Sequence, residues 1–202
     1  MKRCHLIAPI LSTVIIAIYL LFSTLAMLKY PESFSPFSNW LSDLGNRIVS
    51  PAGSGYYNTG IILSGAVLAI FFLYSGSIHI KDNKAQYIVL TLSQVFGVIG
   101  AIAMIFTGVF SIDIPTKHSF ASAVLRICIG TSFGLSVAVL RYFENARKWI
   151  LIIGGATTLF DLCVSVFFNK VRILEWPVIG LFLIYCFLLG LEIGRLGRFQ
   201  DS

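Results

Sequence analysis

Residues 88–110 read IVLTLSQVFGVIGAIAMIFTGVF, and this stretch decides the fold. It contains no charged residue. At ~1.5 Å of rise per residue, a helix of this length crosses a hydrocarbon layer of ~30 Å. Five further stretches have the same character, at 6–28, 59–78, 120–140, 149–168 and 177–193. In lipid, only helices and closed barrels satisfy the backbone. Barrel strands alternate in polarity, whereas Ile61-Ile62-Leu63 and Ile150-Leu151-Ile152-Ile153 do not. The expected fold is all-α: a polytopic membrane protein with six transmembrane helices in one domain over 1–202.

Composition agrees. The chain is 57% hydrophobic and 12% charged, with a mean hydropathy of +0.87; soluble domains carry ~25% charged residues. Lys2 and Arg3 precede the first apolar run as they would in a signal peptide. That run exceeds the usual ~7–15 residues, so it reads as a retained helix.

The Lys and Arg residues in the connections set the expected orientation. One side holds Lys2, Arg3, Lys81, Lys84, Arg141, Arg147, Lys148, Arg195 and Arg198. The other holds only Lys29, Arg47, Lys117, Lys170 and Arg172, and Arg126 lies within a helix. The richer side is expected in the cytoplasm, with both termini, in the cell (inner) membrane. The net charge of +6 is then a topology signal. No basic stripe of the kind that nucleic acid needs is visible. Cys4, Cys128, Cys163 and Cys186 form no C-x-x-C pair and read as small apolar residues.

The connection 29–57 is the long outer one, and loops of this length usually contain an element. Pro36–Leu44 fits a short amphipathic helix. Ser35 suits the cap, Pro36 the first position and Gly45 the stop. Phe37, Trp40, Leu41 and Leu44 share one face, and Asn39, Ser42 and Asp43 share the other. Such a helix either lies at the interface, anchored by Trp40, or lowers Ser42 and Asp43 onto the bundle mouth. Small residues four apart mark close helix packing at Gly60/Ser64, Ser93/Gly97/Ala101, Gly130/Gly134/Ala138 and Gly190/Gly194.

Ionisable residues at mid-membrane cost on the order of 2.5–3.5 kcal/mol each. Arg126 and Asp161 are the two clear cases. Helix rise places them about 9 Å and about 12 Å below the outer boundary, so an ion pair is expected. Asp43, Asn58, Asp113, Lys117, His118 and Glu175 gather at the same level. The inner half offers little beyond Gln94 and Glu192, and Glu192 can pair with Arg195.

His5 and His79 lie at inner ends and His118 at an outer one, which excludes a three-histidine zinc site, and no metal is expected. Asp43, Asp113 and His118 leave a carboxylate-rich site geometrically open. Ser42, His118 and Asp113 are the candidates for nucleophilic hydrolysis, although there is no G-x-S-x-G. Asp43, Asn58, Arg126 and Asp161 are the candidates for ligand binding.

Three short motifs carry a resemblance. They are Leu41-Ser42-Asp43-Leu44-Gly45, then Tyr57-Asn58-Thr59-Gly60, then Gly108-Val109-Phe110 followed by His118. In order and spacing over about 6–140 they resemble the domain-of-unknown-function 998 family of six-helix bacterial and archaeal membrane proteins. The resemblance implies the topology above and no activity or cofactor. It places Ser42, Asp43, Asn58 and His118 on motif positions, and leaves Arg126 and Asp161 outside the pattern.

The leading expectation is an outward-facing polar cavity, roofed by 36–45, that binds a lipid headgroup or small polar ligand. Membrane lipid is the expected partner. An intramembrane lipid hydrolase, a transporter and a small scaffold are the alternatives. A transporter needs a polar path through the inner half, where only Gln94 is available.

Overall fold

The structure, a computed structural model, describes residues 4–76, 83–168 and 170–201. Lys2, Arg3, His79 and Lys81, used above for orientation and for the metal argument, lie outside the described residues. Among the described residues there are six long helices and no strand. They are α1 (Ile7–Met27), α2 (Ser54–Ser75), α3 (Lys84–Val109), α4 (Pro115–Leu140), α5 (Lys148–Phe167) and α6 (Glu175–Asp201). All six are long and apolar enough to cross a membrane.

Short connections make chain neighbours antiparallel. Each helix packs on the next, and α6 returns to α1, so the six close into a ring. The ends of α1, α3 and α5 and the starts of α2, α4 and α6 therefore share one end, the long-loop end. The start of α1 and the end of α6 lie at the other, the terminal end.

The inward faces follow the helical period. On α1 the buried residues are Ala8, Ser12, Ile15, Tyr19, Ser23 and Ala26, a 3–4 spacing that is one stripe. Gly190 of α6 lies against Ser12, where any Cβ would clash. Gly97 of α3 likewise admits the Phe72 ring. Phe133 stands edge-on to Tyr185, with ring centroids 4.9 Å apart, and the Tyr185 hydroxyl meets Ser136 Oγ at 2.9 Å. Ser93 and Ser132 exchange hydroxyl-to-carbonyl bonds of 2.9 and 2.7 Å between α3 and α4. Lipid tails are as apolar as leucine, so close packing and such polar clasps hold helices together in a bilayer.

Several boundaries differ from expectation. α2 begins at Ser54 rather than 59, because Ser54 and Asn58 are buried under the long loop and their polarity is absorbed there. α6 runs past 193 to Asp201. In the long loop the helical element is a 3₁₀ turn over Leu41–Gly45, shorter than Pro36–Leu44. Asn39 Oδ1 accepts the Ser35 N–H (3.1 Å), and Ser35 Oγ accepts the Phe37 N–H (3.2 Å). These side chains draw the backbone of 35–39 into a local turn.

At the terminal end, Gln94 donates to the Phe72 and Leu73 carbonyls (3.1 and 3.0 Å), which the end of α2 leaves without helical partners. It is committed to capping rather than to a polar path. A cavity of about 20 Å³ lies nearby, lined by Phe72, Ser75, Ser93, Ser136 and Leu189 among others. That is room for one water.

Candidate functional site

The polar residues of the long-loop end come together through the loop's own folding. Leu41 and Leu44 are buried, and their burial draws the 3₁₀ turn onto the bundle. Asp43 Oδ2 accepts the Trp40 N–H at 2.8 Å and caps the turn. Asn58, in the first turns of α2, donates to the Gly45 carbonyl at 3.0 Å. Gly45 must be glycine here, because a Cβ would run into Asn58 Oδ1 and the Tyr57 ring.

The connection from α5 to α6 holds the loop from the other side. Glu175 Oε2 accepts the Leu41 N–H at 2.6 Å, and the Ser42 N–H also bonds to this carboxylate. Arg172 donates to the Ser38 carbonyl at 2.9 Å. Trp176 packs on Phe34, and Phe34 on Tyr30. Arg47 ties the far side of the loop to the end of α3 through the Val109 carbonyl (3.1 Å).

Arg126 and Asp161 meet as their depths predict. Arg126 Nε lies 3.4 Å from Asp161 Oδ1. Gly130 makes room, since a Cβ there would lie 2.7 Å from Asp161 Oδ2. This contact uses one of five guanidinium donors. Arg126 Nη2 is buried and has no hydrogen-bond partner among the described residues. Glu175 lies within electrostatic reach of this arginine and of Asp43. The result is a chain of charges, Asp161, Arg126, Glu175 and Asp43, from α4 and α5 through the start of α6 to the loop.

The hydrolytic trio is not wired together. His118 Nδ1 is 2.9 Å from the Phe110 carbonyl, and this bond orients the ring. Asp113 takes the Ser111 hydroxyl and faces Arg47 rather than His118. The Ser42 backbone turns to Glu175. Asp43, rather than Asp113, is the carboxylate within electrostatic reach of His118. Burial raises the Asp43 pKa above the ordinary aspartate value, against the Trp40 N–H and the charges of Arg172 and His118. Among the described residues, no three His, Cys, Asp or Glu side chains group as metal ligands would.

Two participants stand outside the catalytic and ligand-binding candidates, although Glu175 is one of the polar residues expected at the outer level. Glu175 stands beside Arg172 and Trp176, and its position in the first turn of α6 was the available signal. Tyr19 is 5% exposed on the inward stripe of α1. That stripe is visible as a helical period, but which end residue meets α6 is not.

The fold and this cluster define an integral membrane protein of six spanning helices with a cluster of charged residues at its long-loop end. The chain belongs to the family described as protein of unknown function (DUF998), whose family model matches residues 13–191. No curated protein and no solved structure matches it.

Proposed function

We propose that this protein binds a phospholipid headgroup at the long-loop end, with Arg126 holding the phosphate. One observation carries the reading: Arg126 keeps a buried, unpartnered Nη2 while its side chain remains 27% exposed. An unmet charged donor in a low-dielectric setting is costly, and a phosphate oxygen satisfies it well. Asp161 fixes the guanidinium through Nε and leaves the other donors for a ligand. α5 is the least tightly packed of the six helices, so access from the bilayer beside it is the least obstructed.

In this reading the long-loop end faces away from the cytoplasm, as the Lys and Arg asymmetry requires. Ile48 is 80% exposed on that loop. A cysteine there, in a background without the four native cysteines, should react with a membrane-impermeant maleimide from outside intact cells. Reaction only after permeabilisation would reverse the orientation. Binding is tested with delipidated protein in detergent and diheptanoyl phosphatidylglycerol, read by native mass spectrometry. Arg126→Gln should weaken retention about tenfold. Retention equal to the unaltered protein would remove the basis of the proposal.

A further inference from the structure

The rim of the long-loop end beside α5 carries a patch of exposed aromatic and aliphatic side chains that lies partly outside the spanning helices. We infer that this patch is a docking surface for the bilayer itself. Phe37 of the long loop sits in the headgroup–acyl boundary beside the end of α5, while the turn over 46–50 stays in water. The inference goes beyond the headgroup reading and does not depend on Arg126.

Three contacts place Phe37 at that rim. The Ser38 carbonyl accepts from Arg172 at 2.9 Å, which ties this part of the loop to the α5–α6 connection. Phe34 turns inward onto Tyr30 and Trp176. The local turn closed by Ser35 and Asn39 then leaves Phe37 81% exposed. On the connection, Phe167 is 75% exposed, and Phe168, Val171 and Ile173 are also open.

What covers the patch follows from the surface it continues. Ile152, Leu159 and Val166 form an exposed stripe along one face of α5. This helix is long and apolar enough to cross a membrane, so the stripe faces lipid. Phe167 and Phe168 carry it to the end of the helix, and Val171, Ile173 and Phe37 carry it past the end. Charge points to the same occupant. Residues 162–174 contain no acid, and Lys170 and Arg172 are both exposed. Aromatic rings beside Lys and Arg suit the interface, with rings at the acyl boundary and the cations reaching lipid phosphates. A second copy docked on the same patch would set these cations against their own kind.

The opposite rim is built differently. Asn46 Oδ1 takes the Ile48 and Val49 N–H groups, and Arg47 reaches the Val109 carbonyl. The turn over 46–50 has no aromatic residue. Ile48 is therefore the aqueous reference for Phe37, and Leu159, 68% exposed on α5, is the lipid reference.

The test uses full-length protein in nanodiscs of palmitoyl-oleoyl phosphatidylethanolamine and phosphatidylglycerol. In a background without the four native cysteines, Phe37→Cys, Ile48→Cys and Leu159→Cys each carry a nitroxide. Power saturation reads the collisions of each label with dissolved oxygen and with a water-soluble nickel chelate. The Phe37 label should meet the chelate at least about threefold less often than the Ile48 label, because hydrocarbon excludes a polar complex. It should meet oxygen more often, as the Leu159 label does. A Phe37 label as open to the chelate as the Ile48 label overturns the inference. Low collision with both reagents means that protein covers the patch, and overturns it too.

All three side chains are exposed, so these substitutions remove little packing. Hydroxyl-radical footprinting of the unaltered protein in the same nanodiscs keeps the Phe37 ring in place and needs no variant. Ile48 should be oxidised faster than Phe37, although phenylalanine is the more reactive side chain in water. Phe37 oxidised as fast as Ile48, or faster, overturns the inference.

Discussion

Glu192 at the terminal end and Arg126 at the long-loop end are both ionisable residues on the inward side of the bundle, and they are treated oppositely. Glu192 is fully buried and fully engaged. It accepts the Arg147 N–H at 2.9 Å, takes the Arg195 guanidinium, and has Arg147 Nε at 3.9 Å. Arg195 donates in turn to the Asn145 carbonyl. This arrangement pins the α4–α5 connection to α6. Arg126 makes one long contact and keeps donors in reserve. A satisfied buried charge is a structural fastener; a partly satisfied one has donors left over, and the proposed headgroup site uses them.

The largest expected effect tests the fastener. Glu192→Ala removes the acceptor for two arginines and a backbone N–H, and should cost about 3 kcal/mol of stability. Unfolding of purified protein in detergent measures it, and a loss below about 1 kcal/mol would mean that water can replace the carboxylate.

Next comes the seat of the long loop. Asn58→Leu leaves the Gly45 carbonyl unpaired in a buried setting and should cost about 2 kcal/mol. Proteolysis between 36 and 49 should accelerate in parallel. Loss of stability without faster cleavage would show that the loop is held by its other contacts, among them Glu175, Arg172 and Arg47.

The Arg126–Asp161 pair should be worth less, because the arginine is partly exposed. In a double-mutant cycle with Arg126→Leu and Asp161→Leu, a coupling of about 0.5–1 kcal/mol is expected. The double variant should be better tolerated than the two single losses added together. Strict additivity would mean that the two charges do not depend on each other. Coupling as large as the Glu192 effect would turn this pair into a second fastener and erase the contrast between the two ends.

The smallest effect is a pH dependence. Burial raises the Asp43 pKa, so the folded protein holds that proton at pH values where the unfolded chain has released it. Asp43 therefore lends stability below its unfolded pKa of ~4, and that contribution declines as pH rises toward the folded value. The difference in stability between the unaltered protein and Asp43→Asn should shift against the unaltered protein over this window and then stay level. A difference that grows in its favour would mean that Arg172 and His118 outweigh burial.

Much of this architecture is legible in single residues. The charge-free run 88–110 requires a spanning helix, and Arg126 and Asp161 can be matched by counting rise along two antiparallel helices. Gly97 and Gly190 sit on the small-residue stripes and do admit Phe72 and Ser12. The Leu41–Gly45 turn is harder to read. Periodicity extends it back to Pro36, but Asn39 and Ser35 spend their side chains on the local backbone, a competition that hydropathy does not register.

The sequence by itself determined the number of helices, their antiparallel order and the depth at which opposite charges could meet. Those follow from hydrocarbon thickness and helical rise, which act on each segment separately. Only the tertiary structure decided that Glu175 reaches Leu41, across 134 positions of chain, and that the buried Tyr19 hydroxyl meets Tyr57 of α2. The reason is that ring closure between α1 and α6 sets which faces adjoin. Hydrogen bonds made across that seam depend on a rotation of each helix that its own sequence only limits.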